Sequence, residues 1–352
     1  MRSTIGFLGL ASVLALATFG CNADVSAVAD IKLGEAHAAS AVNDDASKTL
    51  APAASLAVLG YQVSKSFHDD GLVHLTLLPQ DEQGGAILDD KLFVEITATC
   101  NVPFPMNAAV KVGEIRKPIA QKPFKFGIAL DGSGSMDSSD HDKIRVKAVQ
   151  GFIDTVGKSF PGSMFRSDQF DTKIKTLGDF TADLPAAESA VVNVSAEGGT
   201  ALHKSTAALI DGMAKLPDDR YQPALLVLSD GMDNSSDGVT SDQVIAKAKA
   251  AHIPIYAVGL GGGLDVPGLS FVGDLQTYAE GTGGVFTYLK TSNDLVPMFQ
   301  KLALGASKGQ IFADVNLKGG VFVPFSTITI KIDVHSGSKV VSDSIDFIVP
   351  IN

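Results

Sequence analysis

A short loop that is rich in oxygen-bearing side chains follows the apolar run 126–130. In this loop Asp131, Ser133 and Ser135 alternate with glycines, so one carboxylate and two hydroxyls are spaced two residues apart. The glycines let the backbone turn tightly without steric cost, which brings the three side chains to one side. Oxygen ligands of this kind suit a small hard cation such as Mg²⁺, which takes six oxygens at about 2.0–2.1 Å. The loop therefore predicts part of a divalent-metal site.

Two other segments offer the further oxygens that such a site needs. Thr200 follows a pair of glycines and precedes the helix-like stretch 201–216, so its hydroxyl is expected at a helix start. Asp230 comes just after the apolar run 224–228, which has the character of a buried strand. Ligands of open α/β sheets bind outside the carboxyl ends of the strands. The residues expected to form one metal site are Asp131, Ser133, Ser135, Thr200 and Asp230.

Between about residues 124 and 304, short apolar runs alternate with stretches of helical periodicity. The runs predict buried strands at 126–130, 224–228, 253–258 and 285–289. The periodic stretches predict helices at 144–156, 201–216, 241–252, 275–280 and 294–302. Buried strands separated by amphipathic helices indicate a mostly parallel sheet that is covered by helices on both faces. This segment is therefore predicted to be a doubly wound α/β domain.

The motifs DGSGSM, GGT and LSDG, in this order, resemble those of the von Willebrand factor A domain, and the resemblance covers residues 124–304. It implies a doubly wound sheet that carries a metal-ion-dependent adhesion site. It also implies that Ser133 and Ser135 bind the metal through their hydroxyls. Thr200, Asp131 and Asp230 would then bind the metal directly or through water. The expected metal is Mg²⁺, or Mn²⁺ or Ca²⁺ in its place, and the remaining coordination position is left for an acidic side chain of a partner protein.

The chain departs from that family's pattern at two places. Gly132 stands where the family more often has a bulkier residue, which is expected to loosen the loop without removing a ligand. The segment 164–170 is polar, whereas the family has an apolar strand at this point. The sequence therefore leaves this edge of the sheet unassigned, together with the binding-face loops beside it.

On either side of the α/β segment, apolar and polar residues alternate with a period of two. The alternation in 57–123 and in 305–352 predicts half-buried antiparallel strands. Each flank is short, but the two together have about the size of one β-sandwich. We expect the flanks to pair into one antiparallel β-sandwich, with the domain of residues 124–304 inserted between them. Two small separate β-units are the alternative.

The first residues resemble an export signal. A positively charged start precedes the uncharged run 5–19, which is short for a bilayer span and matches a secretory signal peptide. We therefore interpret 1–20 as a signal peptide, after which a small residue and Cys21 resemble a bacterial lipobox. Cys21 would then carry a lipid, and the Ala- and Ser-rich segment 21–55 would form a flexible tether. Ordinary cleavage at a nearby small residue is the alternative.

The same segment bears on where the protein resides. Asn22 follows Cys21, which in the Gram-negative sorting scheme resembles a lipoprotein of the outer membrane or cell surface. A location on the periplasmic side of the membrane is the alternative.

The second cysteine, Cys100, ends an alternating stretch and is expected to be a buried core residue rather than a reactive thiol. Two cysteines exclude a four-cysteine zinc site and a dense disulfide framework.

Composition and motifs limit the classes of function that this protein could have. Lys and Arg number 28 against 39 for Asp and Glu, and the net charge of −11 disfavours nucleic acid as a partner. No nucleophile with its base and no general acid–base pair is recognisable, so we predict no enzyme and no catalytic residue. We expect a cell-envelope module that binds a protein partner through the metal. An envelope scaffold with a structural metal is the alternative, and a metal-dependent hydrolase is the least favoured.

Overall fold

The computed structural model describes residues 34–40, 48–64, 66–89, 91–102, 106–117, 122–215, 218–261, 273–319, 322–324 and 326–350. Its strands are β1 (Gly34–Ser40), β2 (Ser55–Val63), β3 (Leu72–Gln80), β4 (Phe93–Cys100), β5 (Met106–Arg116), β6 (Phe124–Asp131), β7 (Met164–Phe170), β8 (Ile174–Thr181), β9 (Gln222–Ser229), β10 (Ile255–Leu260), β11 (Phe286–Leu289), β12 (Gln310–Gly319), β13 (Thr327–Ser336) and β14 (Lys339–Ile348). Its α-helices are α1 (Phe67–Asp70), α2 (Met136–Ser139), α3 (Ile144–Ser159), α4 (Leu184–Ala190), α5 (Leu202–Ala214), α6 (Ser241–Ala250), α7 (Gly273–Thr282) and α8 (Leu295–Lys308). None of the helices in these ranges has the length and apolar character needed to cross a membrane.

The strands of the middle segment form a six-stranded sheet in the order β11–β10–β9–β6–β7–β8. Neighbouring strands are parallel, except that β8 pairs antiparallel with β7 at one edge. Every residue of β6 is buried, as expected for a central strand covered on both faces. Ile128 packs in an apolar cluster with α3 and α8, whereas its neighbour Ala129 packs in another with α5, α6 and α7. The predicted doubly wound α/β fold is therefore confirmed.

The polar segment that the sequence left unassigned forms strand β7. Its central side chains are buried although they are polar. Asp168 accepts a hydrogen bond from the guanidinium of Arg166, with 3.0 Å between Oδ2 and Nη2. The amide of Gln169 is hydrogen-bonded to Ser195, which lies later in the chain. The strand forms here because its buried polar groups have partners, so that burial does not leave them unsatisfied.

The flanking strands build two four-stranded antiparallel sheets, in the orders β1–β4–β13–β14 and β2–β3–β12–β5. Each sheet mixes strands from before and after the α/β segment, because β12 lies between β3 and β5 while β13 lies between β4 and β14. Residues that point inward from both sheets, such as Leu75 and Ile330, share one apolar cluster. The structure therefore has the expected antiparallel β-sandwich, to which both flanks contribute.

Strand β1 corrects the expectation of a flexible tether over residues 21–55. Its seven residues pair antiparallel with β4, from Gly34 opposite Cys100 to Ser40 opposite Val94. A stretch without large apolar residues can extend a sheet edge in this way because the ladder uses backbone groups. The rest of the predicted tether before β1, the signal peptide and Cys21 lie outside the described residues.

Cys100 occupies the place expected for a small core residue. It ends β4, it is buried, and it belongs to the apolar cluster between the two sandwich sheets. Within the described ranges it forms no disulfide. The prediction of a buried core residue is confirmed.

The sandwich packs directly against the α/β domain. Gly60 of β2 comes so close to β11 that a Cβ at this position would meet the Phe286 carbonyl oxygen and lie 2.6 Å from a methyl carbon of Val285. On the neighbouring helix α8, the ammonium of Lys301 is 3.1 Å from the carboxylate of Asp343 on β14. The two parts of the chain are therefore joined by close backbone packing and by an ion pair.

Helix α8 continues to Lys308, beyond its predicted end at residue 302.

Candidate metal site

The predicted ligands lie at the carboxyl end of the central sheet, at a topological switch point. From β6 the chain continues to β7 on one side, whereas β9 lies on the other side of β6. Leu130 of β6 pairs with Leu228 of β9, so the next residues along the two strands, Asp131 and Ser229, stand side by side. Asp230 follows immediately. Crevices at such switch points are where open α/β sheets bind their ligands.

Asp131 forms the buried base of the site. Its Oδ1 accepts a hydrogen bond from the backbone N–H of Ser133 at 2.7 Å, and its Oδ2 accepts one from the hydroxyl of Ser229. Burial raises the pKa of Asp131 to about 6 in spite of these hydrogen bonds, and the charge of the nearby Asp230 adds to the rise. A negative charge at this position is therefore costly unless a cation compensates it.

Ser133, Ser135 and Asp230 form the outer part of the site. The two serine hydroxyl oxygens are 3.1 Å apart, and Ser135 Oγ donates to Asp230 Oδ1 at 2.7 Å. The other carboxylate oxygen of Asp230 accepts a hydrogen bond from Ser139. Burial raises the pKa of Asp230 as well, although the hydrogen bonds from Ser139 and Ser135 oppose this. The outer side is open, because Ser135 is exposed whereas Ser133 is buried.

Thr200 reaches the same place from the start of helix α5. Its backbone N–H donates to Oδ1 of Asn234 at 2.8 Å, which orients the residue. A Cβ placed on Gly231 would lie 3.8 Å from the Thr200 hydroxyl oxygen and also 3.8 Å from that of Ser135. Thr200 therefore faces residues 131–135, called the metal loop below, across Gly231. The structure brings all five predicted ligands together.

The donor set fits a small divalent cation. Two oxygens at adjacent positions of an octahedral Mg²⁺, each at about 2.1 Å, stand about 3.0 Å apart. The oxygen separations of 3.1 Å between Ser133 and Ser135 and of 2.7 Å between Ser135 and Asp230 are close to this spacing. Within the described part of the chain, no three His, Cys, Asp or Glu side chains come together as a metal site. The cation would therefore depend on the three hydroxyls as well as the two carboxylates.

Three side chains that sequence reasoning did not select hold the ligands in place; they are Ser139, Ser229 and Asn234. Two of them carry a signal in the sequence. Ser229 ends an apolar strand directly before Asp230, and Ser139 stands about one helical turn after Ser135. No such signal marks Asn234, because it lies in a polar turn whose partner is known only once the chain is folded.

The fold is similar to that of several solved structures of low sequence identity. A von Willebrand factor type A protein from Catenulispora acidiphila is 12% identical, with 91% of this chain and 74% of that chain covered and a TM-score of 0.45. The ArnB paralog VWA2 from Sulfolobus acidocaldarius is 10% identical, with coverages of 90% and 75% and a TM-score of 0.39. The vWF domain of the type V pili tip protein Mfa5 from Porphyromonas gingivalis is 13% identical, with coverages of 52% and 95% and a TM-score of 0.40.

Comparison of sequences identifies a smaller part of the chain than comparison of structures does. No curated protein sequence matches the chain. A family model described as the von Willebrand factor type A domain matches residues 127–232. This segment begins within β6 and ends two residues after Asp230, so it contains all five ligands of the candidate site. Residues 127–232, which include the central strands β6 and β9 of the parallel sheet, are therefore similar to a von Willebrand factor type A domain.

Proposed function

We propose that this protein is a binding module rather than an enzyme, and that it binds a partner protein through a divalent cation. Mg²⁺ is the expected ion, with Mn²⁺ or Ca²⁺ able to take its place. Von Willebrand factor type A domains typically mediate protein–protein interaction or adhesion. The observation that carries the proposal is the meeting of five oxygen-bearing side chains at one end of the sheet, namely Asp131, Ser133, Ser135, Thr200 and Asp230.

The chemistry of these side chains favours an acidic group on the partner. Three of the five ligands are neutral hydroxyls, so a bound cation keeps a strong attraction for a further carboxylate. Ser135 is exposed, which leaves the outer coordination position accessible from solvent. An acidic side chain of the partner would take that position. When bound, the ion would supply the attraction for this carboxylate. The side chains of this protein would determine which coordination position the carboxylate can take.

Affinity capture with the full chain tests this proposal. We expect the immobilised chain to retain a protein from a detergent extract of the cell envelope in Mg²⁺, to release it in EDTA, and to lose capture on Asp131→Ala. As a control, Asp137→Asn changes an exposed carboxylate beside the site and should leave capture unchanged. Capture that persists in EDTA and in Asp131→Ala contradicts a metal bridge and favours the alternative of an envelope scaffold.

We also propose that the protein is exported and anchored as a lipoprotein, in the outer membrane or at the cell surface. The signal-like segment 1–20 and the lipobox-like position of Cys21 support this, and Asn22 supports the outer membrane. Residues 22–33 would then separate the lipid from strand β1. Mass spectrometry of the N-terminal peptide tests the anchor. A lipid mass on Cys21 supports it, whereas an unmodified Cys21 or cleavage elsewhere argues against it.

A further inference from the structure

Gly132 leaves a space in the metal loop that another side chain fills. A Cβ on Gly132 would meet the amide nitrogen of Gln169 and lie 2.6–2.7 Å from two carbon atoms of the same side chain. Gln169 is buried on β7, the strand next to β6. A side chain at position 132 and the Gln169 side chain thus compete for one volume. Gln169 therefore occupies the space that a bulkier residue at position 132 would need.

Gln169 also binds the segment that leads to Thr200. Its Oε1 accepts a hydrogen bond from the backbone N–H of Ser195 at 2.8 Å, and its Nε2 donates to the hydroxyl of Ser195 at 2.6 Å. Both polar ends of the buried amide are therefore bonded to a single residue. A buried amide that is bonded at both its oxygen and its nitrogen has one favourable orientation, so it fixes how close this segment lies to β7.

Residues 194–200, called the Thr200 loop, are bonded to the metal loop as well. The backbone N–H of Glu197 donates to the carbonyl of Gly132 at 2.8 Å, and the N–H of Gly134 donates to the carbonyl of Gly198 at 3.1 Å. Gly132 thus accepts a hydrogen bond from the Thr200 loop and also packs against the buried amide of Gln169. The spacing between the two ligand-bearing loops depends on the contact at this glycine.

We propose that Gln169 is a positioning residue for the metal site. By filling the space beside Gly132 and holding Ser195, it sets the distance between the Thr200 hydroxyl and the hydroxyls of the metal loop. This inference rests on the proposed metal binding. Loss of the amide hydrogen bonds loosens the Thr200 loop, which its remaining hydrogen bonds still tie to the metal loop and to Arg145. A larger residue at position 132 has the same effect because it displaces Gln169.

Calorimetric titration of the full chain with Mn²⁺ tests the inference. Gln169→Met keeps most of the side-chain volume but lacks the amide. We expect its Mn²⁺ affinity to fall by about 10-fold, the lower end of the range for loss of a group bonded directly to a metal ligand, because Gln169 acts on Thr200 only through Ser195. Hydrogen–deuterium exchange of the metal-free variant should be faster across the Thr200 loop. The control Gln150→Met removes the hydrogen bond that Gln150 on α3 donates to the carbonyl oxygen of Glu188 on α4, and it should change neither quantity.

A double-mutant cycle tests the competition for space. Gly132→Ala should weaken Mn²⁺ binding in the unaltered background and have a smaller effect in the Gln169→Ala background, where the space is vacant. Unchanged affinity and exchange in Gln169→Met, or strictly additive effects in the cycle, would overturn the inference and leave the proposed function standing. Absence of Mn²⁺ binding by the unaltered chain would overturn the proposed function, and this inference with it.

Discussion

Replacing Asp131 with Asn is expected to weaken Mg²⁺ and Mn²⁺ binding by at least about 100-fold while it stabilises the metal-free protein. Affinity falls because two unit charges about 4 Å apart attract by about 4 kcal/mol at an effective dielectric constant of about 20. Asparagine still accepts the hydrogen bond from the backbone N–H of Ser133, and the hydroxyl of Ser229 can rotate to suit the amide. The site therefore keeps its shape and loses its buried charge.

The gain in stability follows from the pKa of Asp131. Burial raises this pKa from 3.8 to about 6. A carboxyl group whose pKa is higher in the folded than in the unfolded state destabilises the fold when it is charged. The penalty therefore develops as the pH rises from about 4 to about 6 and is complete near pH 7, where it reaches at most about 3 kcal/mol. The Asp131→Asn variant lacks this penalty.

Two measurements check these effects. Calorimetric titration with Mn²⁺ should show binding to the unaltered chain and none to Asp131→Asn at the same concentrations. Thermal unfolding in EDTA near pH 7 should give a higher Tm for the variant, with a difference that shrinks towards pH 4. The exposed Asp137→Asn should resemble the unaltered chain in both. Unchanged Mn²⁺ affinity in Asp131→Asn, or a lower metal-free Tm, is incompatible with the site described here.

Replacing Arg145 with Met is expected to destabilise the protein by about 3–5 kcal/mol, because it leaves a buried carboxylate without its partner. Arg145 and Asp140 are both fully buried, with 2.7 Å between Nη1 and Oδ2. A second guanidinium nitrogen, Nη2, donates to the carbonyl of Ser195 at 2.9 Å. The pair therefore joins the segment that follows the metal loop to the Thr200 loop.

Thermal unfolding in EDTA measures the contribution of this pair. A loss of about 3–5 kcal/mol lowers the Tm of a domain of about 150–250 residues by about 6–20 °C. Adding Asp140→Asn to Arg145→Met removes the stranded charge and should recover much of the loss. Arg220→Met breaks an exposed pair with Asp218 and should leave Tm unchanged. A normal Tm for Arg145→Met would show that the buried pair does not stabilise the fold.

The central sheet could be predicted because its strands are apolar on both faces. Strand β6 is buried throughout and β9 is buried from Ala224 onwards, and the polar residues at and just beyond their ends mark the site. Strands β1 and β7 had no such pattern. The edge strand β1 lacks large apolar residues and pairs through its backbone, and β7 buries polar side chains such as Gln169. What stabilises these strands is tertiary pairing, which a local pattern does not contain.

The ligands of the site could be selected from the sequence, but most of the groups that support them could not. Asp131, Ser133 and Ser135 share one short loop, so their proximity follows from the spacing alone. The effect of Gly132 could not be judged in that way. The side chain that fills the space beside it comes from the next strand of the sheet, and its hydrogen-bonding partner Ser195 comes from a loop later in the chain.

The central claim is that side chains at the carboxyl ends of β6 and β9 hold one divalent cation. Crystals of the full chain soaked in Mn²⁺, with diffraction measured at the Mn absorption edge, test it most directly. We expect one anomalous difference peak at about 2.0–2.3 Å from the hydroxyl oxygens of Ser133 and Ser135, beside Thr200 and the two carboxylates. Absence of this peak at saturating Mn²⁺, or a peak coordinated by other residues, would contradict the claim.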